Sequence, residues 1–216
     1  MSQFLRLSQR DLVLLEALAL RVRLVGQRQV AEALWSNHLA NARRRLRRLV
    51  DEGMISREVL PTMPLPELNE PVVRWQPGQA APRSDAISFQ LQSRWRFRAL
   101  RPTVVYFPTS MTITYFGGRE RPQSLVTHTT HDLGVTAVWL RFLSHSRDLA
   151  STWTGEDILA PSRVGQKLPD AALVDQQGEP TMLIEFGGSY GPARVADFHD
   201  DAAARGADQP DGCCEG

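Results

Sequence analysis

Apolar residues recur at helical spacing through the first fifty positions and at strand spacing directly after them. Leu12, Leu15, Leu18, Ala19 and Val22 fall three or four residues apart behind Ser8, whose hydroxyl precedes Asp11 by three positions, a weaker relative of the capping box. A short second helix is predicted over GQRQVAEALW (26–35), with Val30, Ala31 and Leu34 inward. A third is predicted with Ser36 as its cap, ending at Gly53, a residue suited to the position just past a helix C-terminus. At about 100° per residue, Leu39, Ala42, Leu46, Leu49 and Val50 gather on one side of this third helix. MISREVL (54–60) then alternates like a strand, PTMPLPELNE (61–70) is rich in turn residues, and PVVRW (71–75) reads as a second strand. Three helices followed by a strand pair predict a winged helix-turn-helix over residues 1–76.

PGQAAPRSDA (77–86) is small, polar and proline-containing, and reads as a linker. Beyond it, ISFQLQSRW (87–95), PTVVYF (102–107) and MTITYF (111–116) look like short strands. A helix is expected over HDLGVTAVWLRFLSH (131–145) and a further helical turn over TGEDIL (154–159). PDAALVD (169–175) and TMLIEF (181–186) read as a strand pair joined by a turn over Gln176 to Pro180, and GGSYGPARVADFHDDAAARG (187–206) turns into a last helix. The expected fold class is α+β: an N-terminal winged helix, then a small α/β domain over 87–206, then a disordered tail at 207–216.

Charge changes the picture of the third helix. Five arginines occupy six positions from Arg43 to Arg48, and the span from Arg21 to Arg57 carries a formal charge of +6. From His145 onward the chain carries −8, although the net charge of all 216 residues is +1. A basic front and an acidic back suggest two parts with different jobs. Opposite the apolar stripe lie Asn37, Asn41, Arg44 and Arg48, with His38 and Arg45 on one flank. Asn reads adenine bidentately, and Arg reads guanine or grips phosphate. Helix-turn-helix modules read bases with the N-terminal part of the second helix. The expectation is base readout by Asn37, His38 and Asn41, and backbone grip by Arg44, Arg45 and Arg48 on double-stranded DNA. The tip of the expected wing carries no Lys or Arg, which leaves Arg57 and Arg74 on its strands. The competing reading is a solvated helix face.

The C-terminal half holds a second candidate chemistry. Asp170 follows Pro169, and Glu185 comes fifteen residues later at the end of an apolar strand. Two carboxylates on neighbouring strands of a hairpin can hold Mg²⁺, with Glu156 as a third ligand, and such a metal activates water for phosphodiester hydrolysis. The arrangement resembles the PD-(D/E)xK nuclease core. Gly187 stands where that motif has its lysine, and Lys167, the only lysine, lies before the first carboxylate. The domain is therefore expected to be an inactive relative that needs no cofactor. A Mg²⁺-dependent endonuclease is the alternative, with Glu156, Asp170 and Glu185 as its catalytic and metal candidates. His128 and His131 are spaced by three without a further ligand nearby, and read as ordinary polar residues at a helix start. Gly187, Gly188 and Gly191 read as a tight turn rather than a phosphate loop, and Ser189 and His199 lack an acid partner for a triad.

LSQRDLVLLEAL (7–18), ARRRLRRLVDEGMI (42–55), THDLGVTAVWL (130–140) and the PDAALVD…IEFGGSYGPARVADFH block together resemble the replication-relaxation family of winged-helix proteins of plasmids and other mobile or chromosomal bacterial loci. The resemblance implies double-stranded DNA binding in plasmid replication, DNA relaxation or transcription regulation. It also implies a degenerate nuclease-like domain used for assembly or DNA contact. A homodimer is a further possibility, since helix-turn-helix proteins are commonly dimeric. No stretch approaches the roughly 18–20 apolar residues of a membrane span. The two cysteines, Cys213 and Cys214, are adjacent and offer no zinc spacing. A cytoplasmic protein is expected.

Overall fold

The structure, a computed structural model, describes residues 6–96, 99–120, 128–162 and 167–207. The expected tail at 207–216 falls almost wholly outside them, as do both cysteines. The fold is mixed α and β, with helices the larger share and two small antiparallel sheets.

Helix α1 (Gln9–Leu20) starts where the sequence placed it, at the N-cap Ser8, and Asp11 completes a reciprocal capping box. Strand β1 (Val25–Gly26) leads directly into α2 (Gln27–Leu34). Helix α3 (Leu39–Asp51) begins three residues after the expected cap. Ser36 and Asn37 both take left-handed backbone angles, φ 47° and 64°, so they form the turn and His38 takes the N-cap position. Gly53, at φ 70°, stops α3 as expected, because a side chain there would be strained.

Strand β2 (Ile55–Thr62) is the expected one, but its partner is not. PVVRW forms no strand. The partner is β3 (Arg101–Pro108), paired antiparallel over eight residues from Ile55↔Pro108 to Thr62↔Arg101. With β1 also on β3, the sheet order is β1-β3-β2. This pairing reaches across the expected linker, so 77–86 lies within a 38-residue excursion between two hydrogen-bonded strands. Part of that excursion is helical: ISFQLQSRW, read as a strand, lies in α4 (Ser84–Trp95). MTITYF is also helical, in α5 (Ser110–Tyr115), whose N-cap residue Thr109 donates its hydroxyl to the Gly53 and Met54 carbonyls just past α3.

Helices α6 (Thr129–His145) and α7 (Arg147–Ser151) precede β4 (Trp153–Gly155), α8 (Glu156–Leu159), β5 (Ala171–Val174) and β6 (Pro180–Ile184). TGEDIL is therefore part strand and part helix. The second sheet runs β4-β5-β6. Its hairpin turn uses Gly178 at φ 86°, and α9 (Pro192–Ala207) is the expected last helix.

The chain's contacts divide it into two compact units, interleaved in sequence and drawn differently from the expected 1–76 and 87–206. One comprises 1–65, 99–162 and 169–186; the other comprises 66–98, 163–168 and 187–216. The physical reason lies in the core of the first. Leu14, Leu18, Val30, Ala42, Leu46 and Leu49 of the three helices pack in one buried cluster with Tyr106, Trp139, Trp153, Ala171 and Leu173. At the end of α1, Arg21 donates to the Ser151 and Trp153 carbonyls, and the Trp153 indole donates back to the Arg21 carbonyl at 3.1 Å. The helices meant for DNA and the hairpin meant for a nuclease thus share an interior. In the second unit, Ser88 of α4 donates to the Tyr190 carbonyl at 2.8 Å, and Lys167 pairs with Asp197 of α9. No helix among the described residues is long and apolar enough to cross a membrane.

Candidate nucleic-acid interface and the paired carboxylates

Helix α3 buries Ala42, Leu46 and Leu49 and half-buries Leu39 and Val50, the stripe expected from its periodicity. That fixes the direction of everything else on it. Arg43, Arg44, Arg47 and Arg48 are exposed. None of the four has a carboxylate within 4.0 Å among the described residues. Arg44 donates to the Asn41 side-chain oxygen at 2.6 Å, so the outward amide and guanidinium form one hydrogen-bonded pair. Arg57 is exposed on β2.

Four of the residues expected at DNA are placed differently from the expectation. Asn37 and His38 are exposed but precede the helix, because the left-handed turn delays its start. Arg45 turns inward to an acid. Its Nε and Nη2 both reach the Asp11 carboxylate, at 2.9 and 2.6 Å, and Nη2 also donates to the Arg6 carbonyl. Asp11 is fully buried. Burial works against its ionised form, but the hydrogen bonds from Arg45 and Ser8 prevail and hold its carboxyl below the usual range. Arg74 stands on no strand and belongs to the other compact unit. Arg43 and Arg47 were passed over in the sequence because they flank the apolar stripe rather than oppose it.

The hairpin brings Asp170 and Glu185 together, as its register requires, since they directly precede and follow the Ala171↔Ile184 pair. The Asp170 N–H donates to Glu185 Oε2 at 3.3 Å, and the Phe186 N–H donates to Asp170 Oδ2 at 2.6 Å. His131, from the first turn of α6, places Nε2 3.3 Å from the same Oδ2 and Nδ1 3.8 Å from Asp132. Burial opposes its charge, yet the two aspartates raise its pKa to about 10, so it is an imidazolium at neutral pH. Sequence spacing did not show this role. The His128–His131 spacing is incidental, with His128 at the N-cap position. Glu156 lies 3.1 Å from Arg23, which also makes a two-pronged pair with Asp157. Burial nevertheless pushes the Glu156 carboxyl up.

Two of these three carboxylates already have cationic neighbours. Among the described residues no three His, Cys, Asp or Glu side chains are placed to hold one. Asp170 is engaged by the Phe186 N–H and lies beside His131, and Glu156 lies beside the Arg23 guanidinium. Gly187 has a tight steric setting. A Cβ on Gly187 would come within 2.8 Å of both methyl groups of Leu91, which is buried on α4. Gly187→Lys is therefore expected to destabilise the chain by about 1–3 kcal/mol through overpacking, without producing Mg²⁺-dependent cleavage. Urea unfolding and a plasmid-nicking assay check the two halves; cleavage by this variant would show that only the lysine was wanting. Gly188 and Gly191 lie in the turn before α9, and Ser189 is exposed there. His199 stacks edge-on against Trp75 at 4.7 Å, a packing role.

Comparison of the chain with protein-family models, with curated proteins and with solved structures finds no match.

Proposed function

We propose that the chain is a double-stranded DNA-binding protein that presents α3 to the duplex from a winged helix-turn-helix, with the β4–β6 hairpin region serving as scaffold rather than nuclease. One observation carries this reading. Four arginines without carboxylate partners line the exposed side of a helix whose other side is anchored in the core, whereas Arg21, Arg23 and Arg45 of the same unit each hold an acid. Unneutralised guanidiniums in a row are an electrostatic match for a phosphate backbone. The order α1-β1-α2-α3-β2-β3 with sheet order β1-β3-β2 supports a winged helix, in which the excursion 63–100 takes the place of a short wing loop. The sequence likeness to replication-relaxation proteins supports a place in plasmid replication, DNA relaxation or gene control.

The test is binding of the full chain to random duplex fragments across a salt series with Mg²⁺, the DNA being run on a gel afterwards. With Arg43, Arg44, Arg47, Arg48 and Arg57 on phosphates, log K should fall against log salt with a slope of about −4 to −5. Arg44→Ala and Arg48→Ala should each weaken binding to all sequences and flatten that slope by about one unit. Asn41→Ala should mainly relax sequence preference. Arginine variants that bind like wild type at low salt would remove the assignment, and cut DNA would make Asp170 and Glu185 catalytic.

A further inference from the structure

The outward side of α3 holds one side-chain pair that is already formed without DNA. Asn41, in the first turn, and Arg44, one turn on, are both exposed, and Arg44 Nη2 donates to Asn41 Oδ1 at 2.6 Å. Residues three apart are neighbours on a helix surface, so the backbone itself brings the two together. Arg44 has no carboxylate within 4.0 Å among the described residues, whereas its neighbour Arg45 commits its fork to Asp11.

That bond decides which end of the amide is left over. A guanidinium only donates, so the amide turns its oxygen, not its nitrogen, to Arg44. The two ends of an asparagine amide are nearly the same size, and an amide held by nothing presents either one. To a base they mean opposite things. N7, which both purines offer in the major groove, accepts from an N–H and repels an oxygen. With Oδ1 held in a charge-assisted bond, Nδ2 remains to donate, and the side chain is ordered before the duplex arrives.

We propose that Arg44 is a positioning residue for base readout: it fixes the Asn41 amide with its nitrogen toward the groove, and Asn41 then donates to the N7 of one purine. The other N–H groups of the Arg44 fork serve the phosphate already assigned to it, so one guanidinium ties a base contact to a backbone contact. Arg48, a further turn along, has no amide three or four residues away and grips the backbone alone. The pair rests on the DNA-binding reading and sharpens it: an arginine that touches no base sets which base is read.

Sequencing the fraction of a randomised duplex pool bound by the full chain, for wild type and variants, tests this. Asn41→Ala should lose about tenfold in preference at one base pair. Arg44→Ala should lose that same preference in addition to its loss on all sequences, and the double variant should lose no more of it than either single one. Arg48→Ala should weaken binding with the preference intact. Replacing that purine by its 7-deaza analogue, which has C–H in place of N7, should cost wild type about tenfold and cost Asn41→Ala and Arg44→Ala almost nothing more. Preference retained in Arg44→Ala would overturn the positioning role, and indifference of wild type to the 7-deaza base would overturn the N7 contact. Duplex binding with no preference at any base pair would remove the readout and leave the phosphate grip standing. A folded wild type that binds no duplex at low salt would remove the DNA reading itself, and this pair's role with it.

Discussion

Arg45→Ala should cost the protein stability before it costs DNA affinity. The expected loss is about 3–5 kcal/mol, the range for removing one partner of a buried ion pair, because Asp11 is left buried with only Ser8 to satisfy it. Arg44→Ala, one residue away and exposed, should stay within about 0.5 kcal/mol of wild type. Urea unfolding followed by tryptophan fluorescence separates the two, and the pH dependence gives a second check. The Asp11 carboxyl is lowered in the folded state, so its stabilising contribution is fully present above the unfolded value near 4 and is lost as pH falls through the folded value. Without Arg45 the buried carboxyl prefers its neutral form. The gap between variant and wild type should therefore be widest at neutral pH and narrow on acidification. A variant with an unchanged urea midpoint but lost DNA affinity would return Arg45 to the interface.

That contrast shows what one sequence can and cannot disclose. The capping box at Ser8 was legible because it is local; that Asp11 also receives a guanidinium 34 residues away was not. The stripe of α3 was legible from its period, and with it the direction of Arg44 and Arg48. Its start was misplaced because a left-handed Ser36–Asn37 turn leaves no mark in hydrophobic pattern. ISFQLQSRW and MTITYF looked like strands through their β-branched and aromatic residues, a preference that packing overrides. PVVRW had strand composition but no partner, since β2 pairs with a segment beyond the excursion. Asp170 and Glu185 could be placed face to face because a hairpin's register is nearly fixed by its turn. His131 could not be placed there, because α6 docks on the hairpin through tertiary packing.

The docking of α6 on the hairpin makes a prediction with a change of sign. Phe186 is 5% exposed and its ring lies against Gly134, where an added Cβ would meet Cε1 at 2.1 Å. Its N–H holds Asp170, and its ring meets His131 edge-on at 5.6 Å. Phe186→Ala should therefore cost about 3–5 kcal/mol, the transfer energy plus the cavity. Gly134→Ala alone should cost about 1–3 kcal/mol, because the ring cannot stay where it is. In the Phe186→Ala background the same substitution meets empty space. There the helix preference for alanine over glycine, about 1 kcal/mol, should turn the second substitution stabilising. Urea unfolding of the four proteins in a double-mutant cycle measures the coupling, expected at about 2–4 kcal/mol from these terms. Additive costs would mean that the ring does not rest on Gly134. The pair of His131 with the Asp170 carboxylate would then have to hold α6 to the hairpin without it.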